Sequence, residues 1–288
     1  MKKKSNLKYI NLLVKILITG FALWYVFRKI DVSELVSAVA RANPFWLFVA
    51  FVMFALSKLV SAFRLNTYFH QIGIPLAERY NIRLYLLGMY YNLFLPGGIG
   101  GDGYKVYLLN KSYPVPAKKI FWAVLLDRVI GVLALFCMAV LLSLFIPYPM
   151  EYKYVVWLLI PGSVLTAFFV YKGFFSYFQK IFFKTNIQSF WVQLLQLLCA
   201  VFILLALHVE SHYLEYLFVF LISSIVAVLP ITIGGLGARE VTFLFGAQYL
   251  MLEESSAIAL STLFYIITAL LSLVGIYYSI WPQKMGER

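Results

Sequence analysis

Six apolar stretches decide what this chain can fold into. Each is long enough to cross the roughly 30 Å hydrocarbon core of a bilayer as a helix, and they lie at 8–27, 44–63, 120–146, 154–171, 190–207 and 256–281. Only 12% of the 288 residues are charged and 63% are hydrophobic, so the chain cannot build the surface of a water-soluble domain. We therefore predict an all-α polytopic membrane protein that forms a single membrane domain over residues 1–288.

Two further apolar segments, 81–95 and 213–229, each run into a glycine-rich break. The breaks read LPGGIGGDG at 95–103 and LPITIGGLG at 229–237. Glycine permits positive φ and a close approach of neighbouring backbone, so the chain can turn back at each break. Neither segment needs to be a full crossing.

The distribution of basic residues favours a re-entrant hairpin at each break. If 81–95 crossed the membrane, the four lysines that follow the first break would face outside, whereas a hairpin keeps them in the cytoplasm with Arg64, Arg79 and Arg83. Cytoplasmic loops are enriched in Lys and Arg. We therefore predict six full spans and two hairpins, with both termini on the cytoplasmic side of the plasma (bacterial inner) membrane. Eight full spans are the alternative. The four lysines are Lys105, Lys111, Lys118 and Lys119.

The two breaks also align with each other, at an offset of 134 residues. The flanking apolar stretches keep nearly the same offset, which divides the chain into half-repeats 1–146 and 147–288. Each half then has three spans and one hairpin, and three crossings place the second half in the opposite orientation. Inverted repeats with broken helices are typical of transporters; chance similarity between apolar sequences is the alternative. The aligned pairs include Pro96 and Pro230, Gly100 and Gly234, Gly101 and Gly235, and Lys105 and Arg239.

Eight ionisable residues fall at membrane depth in this arrangement. A charge there is costly unless it is paired or hydrated, which makes each a functional candidate. One hypothesis is an ion-pair network that joins the two halves. The other is a phosphate site in which Arg128, Arg239 and Lys105 receive the anion while carboxylates hold them, helped by the positive end of the helix after each break. The eight are Lys15, Lys58, Asp102, Lys105, Asp127, Arg128, Arg239 and Glu240.

Other patterns give little support to a cofactor, a metal ion or a nucleic acid. The net charge of +12 comes from basic residues in loops. The Gly98-x-Gly100-x-x-Gly103 pattern matches a dinucleotide fingerprint but follows a membrane helix instead of a buried strand. Cys137 and Cys199 lie inside apolar runs, where packing is the expected role. We expect no cofactor, no metal and no nucleic-acid partner.

Three motifs follow one another along the chain. They are Asn92-x-x-x-Pro96-Gly97-Gly98-Ile99-Gly100-Gly101-Asp102, Asp127-Arg128-Val129-Ile130-Gly131, and Leu229-Pro230 through Gly234-Gly235-Leu236-Gly237-x-Arg239-Glu240. Together they resemble the lysylphosphatidylglycerol synthase transmembrane family, also described as flippase-like. In its two-domain members the membrane module is thought to flip an aminoacylated phospholipid, and a soluble domain performs the aminoacyl transfer. The resemblance implies lipid translocation here, without lysyl transfer, because no polar stretch is long enough for that domain. Lys105 stands where the family usually has arginine.

We therefore predict that the protein translocates a phospholipid or a lipid-linked phosphate between membrane leaflets. One alternative is a membrane-embedded enzyme that acts on a lipid headgroup, with Asp102, Asp127 and Glu240 as acid and base groups. Another is a non-transporting partner subunit of a lipid-modifying system. The candidate substrate-binding residues are Asn92, Pro96, Gly100, Gly101, Asp102, Lys105, Asp127, Arg128, Gly234, Gly235, Arg239 and Glu240.

Overall fold

The computed structural model describes residues 17, 24, 32–94, 99–146, 153–229 and 237–281, most of which are helical, with no strand among them. The helices are α1 Val32–Arg41, α2 Pro44–Gln71, α3 Glu78–Phe94, α4 Gly100–Ser112, α5 Ala117–Ser143, α6 Lys153–Val156, α7 Leu159–Phe174, a 3-10 helix Ser176–Ile181, α8 Phe182–Ala206, α9 Tyr213–Val228, α10 Ala238–Tyr249, α11 Glu254–Leu273 and α12 Gly275–Ile280. The all-helical prediction is confirmed for this part of the chain.

Four helical segments are long and apolar enough to cross a membrane: Pro44–Gln71, Ala117–Ser143, Ser176–Ala206 and Glu254–Ile280. They coincide with the predicted spans at 44–63, 120–146, 190–207 and 256–281, which confirms a multi-pass membrane protein. The predicted span at 8–27 falls outside the described residues except for Leu17 and Trp24.

The predicted span at 154–171 differs from the helix that forms there. A single turn, α6, is followed by α7, which has 16 residues. Pro161 explains where α7 begins, because proline has no N–H to donate and is tolerated only in the first turn of a helix. At 1.5 Å per residue α7 is about 24 Å long, short of a full hydrocarbon core, so this segment can cross the membrane only if α6 and α7 cross together.

Helices α2 and α8 form the most extensive helix pair and run antiparallel. At one end the Asn43 N–H donates to the Ala206 carbonyl at 2.9 Å, and at the other Arg64 reaches Ser189 at 2.7 Å. Asn43 also caps α2, because its Oδ1 accepts from the Phe45 N–H at 2.9 Å. The two helices come from the two predicted half-repeats.

Two further sets of contacts cross between the halves in a reciprocal way. Helix α5 packs against α9, while α3 packs against α11 and α12. Helices α3 and α4 pack on each other, as do α9 and α10, so each break joins a helical pair. The second helix of each pair is short, with 13 residues in α4 and 12 in α10.

Two apolar cores flank the centre of the molecule. One is built mainly from α8 to α11, where Phe264 packs edge-on against Phe54 and Phe220. The other is built mainly from α2 to α5 and includes Tyr68 and Phe182. Both cores contribute to the wall of one central cavity, which is where the candidate site lies.

Candidate functional site

A cavity of about 340 Å³ lies between the helices of the two halves. Helices α2 to α5 and α8 to α11 all contribute to its wall. Three wall residues, Lys58, Gly131 and Gln193, stand near the midpoints of α2, α5 and α8. Since these helices have membrane length, the cavity lies at mid-depth in the bilayer if they span it.

The cavity wall carries more positive than negative charge. The acidic side chains among the described wall residues are Asp102 and Asp127. With five basic residues, the described part of the wall therefore has an excess of three positive charges. No cluster of His, Cys, Asp and Glu in the described ranges could hold a metal ion. The five basic residues are Lys58, Arg64, Lys105, Arg128 and Arg239.

All three guanidinium nitrogens of Arg64 donate to protein side chains. Its Nε donates to Asp127 Oδ1 at 2.7 Å, its Nη2 to Asp127 Oδ2 at 3.2 Å and its Nη1 to Ser189 Oγ at 2.7 Å. The two charged side chains are only 6% and 10% exposed. A two-pronged pair of this kind at low exposure joins α2, α5 and α8.

Sequence reasoning placed Arg64 in a cytoplasmic loop, and the structure corrects this. Helix α2 continues beyond residue 63 to Gln71, so Arg64 lies inside a membrane-length helix. The sequence did indicate that the helix continues past residue 63, because Ser57, Ser61 and Arg64 recur at helical spacing on one face. Asp127 pairs with this arginine and not with its neighbour Arg128.

A second ion-pair cluster centres on Asp102. Its carboxylate accepts from Lys105 Nζ at 3.1 Å and from Arg128 Nε. Lys105 lies along Gly88 of α3, where an added Cβ would come within 2.3 Å of Lys105 Cε. The Lys105 ammonium also lies 4.7 Å from the Tyr85 ring centroid. A glycine at position 88 therefore makes room for this lysine to reach the carboxylate.

Arg239 has no carboxylate partner among the described residues. Its guanidinium lies over the rings of Phe264 and Phe220, at 4.8 Å and 5.8 Å from their centroids, and its buried Nη1 has no hydrogen-bond partner in the described part of the chain. Glu240 does not pair with it. The Glu240 carboxylate accepts from the Gly237 N–H at 2.7 Å and from Ser261 Oγ at 3.1 Å, so it caps α10 and stands outside the cavity wall.

Lys58 resembles Arg239 in this respect. Its Nζ lies 4.6 Å from the centroid of the Phe54 ring, and the ion pairs found among residues 32–94, 99–146, 153–229 and 237–281 do not include it. Lys58 and Arg239 are therefore the two wall cations without a carboxylate partner in those ranges.

Comparison with known proteins identifies the family. The sequence model described as the lysylphosphatidylglycerol synthase TM region matches residues 12–275. The chain belongs to this family. A UPF0104 membrane protein of Pyrococcus horikoshii is 24% identical over 128 residues, which are 44% of this chain and 37% of that relative. The match thus spans little more than a third of the relative's length, and it supports the same family membership.

In this member of the lysylphosphatidylglycerol synthase family, Gly101 lies at a helix contact and not in the cavity wall. An added Cβ there would come within 1.9 Å of the Gly88 carbonyl oxygen, and the Gly101 N–H donates to Asn92 Oδ1 at 2.8 Å. The N–H groups of Gly101 and Gly237 therefore already donate to protein side chains, near the starts of the two helices whose positive ends were expected to help bind an anion. Gly100 begins α4 and also lies outside the wall, whereas Pro96, Gly234 and Gly235 are not among the described residues.

The structure thus brings six of the predicted residues together around the cavity, and adds Lys58, Arg64 and neutral polar side chains that the sequence reasoning did not include in the binding site. Two of the neutral residues, Gln193 and Ser224, have a buried oxygen without a hydrogen-bond partner among the described residues. Single neutral residues on apolar helices give no distinct sequence signal, which is why they were missed. The six are Asn92, Asp102, Lys105, Asp127, Arg128 and Arg239; the other neutral polar wall residues are Ser61, Gln196, Thr268 and Ser272.

Proposed function

We propose that the protein binds the phosphate of a lipid headgroup in this cavity and moves the lipid between leaflets. The observation that carries the proposal is the excess of basic over acidic wall residues, with Lys58 and Arg239 lacking a carboxylate partner among the described residues. An isolated charge is costly in a low-dielectric interior. A phosphate entering the cavity would supply the missing anion, and the planar fork of Arg239 suits it.

The size of the cavity fits a headgroup better than a whole lipid. At about 340 Å³ it is near the lower end of the about 300–1,000 Å³ typical of ligand pockets. The acyl or polyprenyl chains would therefore remain in the bilayer while the headgroup crosses through protein. Translocation of a lipid requires this arrangement, with the polar headgroup inside the protein and the apolar chains in the bilayer.

The proposal includes an inverted repeat with two re-entrant hairpins. The antiparallel α2 and α8 occupy corresponding places in the two halves, and the α5–α9 contact mirrors the contact of α3 with α11 and α12. Helices α4 and α10 would be about 20 Å and 18 Å long at 1.5 Å per residue, too short for a full crossing. These lengths favour hairpins over eight full spans.

Both halves contribute cations to the cavity, Lys58 and Lys105 from the first and Arg239 from the second. In inverted-repeat transporters, one half moves against the other around a site near the midplane. We propose the same movement here, with both termini in the cytoplasm of a bacterial inner membrane. The new thiol of Ser112→Cys should then react with a membrane-impermeant reagent only after the cells are opened; labelling in intact cells would contradict the first hairpin.

An enzyme that uses carboxylates as acid and base groups receives less support. Asp102 and Asp127 are held by cations, and Glu240 caps a helix outside the cavity wall. Turnover of a headgroup by the purified protein in detergent, where no leaflets exist, would favour the enzyme over the translocator.

The test is lipid translocation in reconstituted vesicles. Fluorescent anionic phospholipid in the inner leaflet should become accessible to an external quencher when the wild-type protein is present. Lys58→Ala and Arg239→Ala should slow this strongly, while the exposed-site controls Lys184→Ala and Arg79→Ala should not. Equal translocation by all four variants would reject the phosphate site.

A further inference from the structure

The described part of the cavity wall offers no carboxylate that is free to pair with an ammonium group. Asp127 is held by Arg64 from two sides, and Asp102 is shared by Lys105 and Arg128. A headgroup amine that entered would meet five cations of its own sign. Juxtaposed like charges are strongly unfavourable and suppress wrong partners.

A neutral hydrogen-bond acceptor stands in the same wall. Gln193 is 5% exposed and donates through Nε2 to the Gly131 carbonyl at 3.3 Å. This bond fixes the orientation of the amide, because a carbonyl oxygen accepts and never donates. The Gln193 Oε1 is left buried and without a donor among the described residues.

Ser224 adds a second unsatisfied group. Most serines and threonines of the wall return their hydroxyl to the backbone of their own helix, as Ser61, Thr268 and Ser272 do. The adjacent Ser223 does the same at 2.8 Å. Ser224 Oγ is buried and has no partner in the described ranges, although it belongs to the cavity wall.

From these observations we infer the chemical class of the ligand: a phosphate ester whose substituent is a neutral polyol without an ammonium group. The phosphate meets Lys58 and Arg239, and a hydroxyl of the polyol donates to Gln193 Oε1 and exchanges a hydrogen bond with Ser224. The inference rests on the proposed phosphate site and deepens it by excluding aminoacylated and ethanolamine headgroups. A glycerol headgroup and a sugar phosphate share this chemistry.

The experiment measures binding separately from transport, by native mass spectrometry of the purified protein with lipids of identical acyl chains. Phosphatidylglycerol should bind about three- to tenfold more tightly than phosphatidylmethanol, which has the same charge and no hydroxyl, as expected for the modest net contribution of the hydrogen bonds to Gln193 and Ser224. It should bind at least about tenfold more tightly than phosphatidylethanolamine. Phosphatidylinositol distinguishes a glycerol headgroup from a sugar phosphate. Tighter binding of phosphatidylinositol than of phosphatidylglycerol would indicate a sugar-like headgroup, because inositol is a ring polyol.

Variants locate the selectivity. Gln193→Leu should reduce phosphatidylglycerol binding to the level of phosphatidylmethanol. Gln188→Leu is the matched control, since Gln188 lies on the same helix with an equally unpartnered buried Oε1 but outside the cavity wall. If Gln193→Leu fails to fold, Ser224→Ala removes a smaller group and should reduce the same preference.

The outcomes separate this inference from the proposed function. Selective binding without translocation would uphold the ligand class and reject flipping. Translocation with equal binding of phosphatidylglycerol and phosphatidylethanolamine would uphold flipping and overturn the ligand class. The ligand class would also be overturned if phosphatidylglycerol did not bind, or if Gln193→Leu and Gln188→Leu lost equal amounts of phosphatidylglycerol affinity.

Discussion

The two helical pairs that flank the breaks place corresponding cations in different surroundings. Lys105 of the first pair shares the carboxylate of Asp102 on its own helix with Arg128. Arg239, which aligns with Lys105, lies over phenylalanine rings and has no carboxylate partner among the described residues. Ion pairs with Asp102 hold the cation of the first helical pair. The cation of the second pair, Arg239, has no ion pair among the described residues.

The sequence accounts for this difference. At the same offset of 134 residues, Asp102 corresponds to Leu236 and Asp127 corresponds to Ser261. The second half thus lacks the carboxylates that neutralise cations in the first half, and its Glu240 is used to cap α10. We propose that ion pairing in the first half chiefly stabilises the fold, whereas Arg239 of the second half receives the ligand.

The largest expected effect is on the Arg64–Asp127 pair. Asp127→Leu leaves the Arg64 charge buried without its partner, and breaking a buried pair in this way costs about 3–5 kcal/mol. The free energy of unfolding, measured in detergent with SDS, should fall accordingly. The double variant Arg64→Met with Asp127→Leu should recover most of the loss, because it removes both charges. A double variant as unstable as the single one would contradict the pairing.

Gly101→Val should have the next largest effect. Its Cβ would overlap the backbone of Gly88, and overpacking costs about 1–3 kcal/mol, with a backbone collision at the upper end. Gly103→Ala is the matched control, since nothing lies within 4 Å of its added Cβ. Gly101→Val should therefore have a lower free energy of unfolding and a lower yield of monodisperse protein than Gly103→Ala. Normal stability of Gly101→Val with loss of transport would instead place Gly101 beside the ligand, as its inclusion among the candidate substrate-binding residues predicts.

Arg239→Leu should show the opposite behaviour to Asp127→Leu. Its stability should change little, because no carboxylate partner among the described residues is lost, while the affinity for an anionic lipid should fall by about 30-fold, or about 2 kcal/mol. Arg239→Lys should not restore binding, because lysine lacks the planar fork. Arg79→Leu, at an exposed position, is the control. A large loss of stability in Arg239→Leu would mean that the second half also uses its cation structurally.

Sequence patterns predicted the helical class and four of the long helices, because an apolar run long enough to cross the bilayer can be recognised from the sequence alone. They also singled out Asp102, Asp127, Arg128 and Arg239, since charge at membrane depth is rare. Motif proximity could not predict the pairing. Adjacent helical residues point about 100° apart, which sends Asp127 to Arg64 and Arg128 to Asp102.

The neutral wall residues were beyond sequence reasoning for a related reason. A serine or glutamine in a membrane helix usually satisfies itself on the backbone or at a helix contact. Gln193 and Ser224 become distinctive only when the positions of all neighbouring acceptors and donors are known. The ends of apolar runs were equally ambiguous, so Arg64 was assigned to a loop although α2 extends past it.

The smallest expected effect tests whether Asp102 competes with the ligand. Arg128 is 28% exposed and Asp102 is 14% exposed, so this cluster is less enclosed than the Arg64–Asp127 pair and Asp102→Asn should cost less stability. If the carboxylate stands where a phosphate would bind, its removal frees Lys105 and Arg128 and should raise the affinity for an anionic lipid by about three- to tenfold, or about 1 kcal/mol. If Asp102 instead holds those cations in the geometry that receives phosphate, the same variant should bind more weakly. Equilibrium binding of phosphatidylglycerol to Asp102→Asn and Arg239→Leu side by side separates these roles, because competition predicts opposite shifts in the two variants and positioning predicts losses in both.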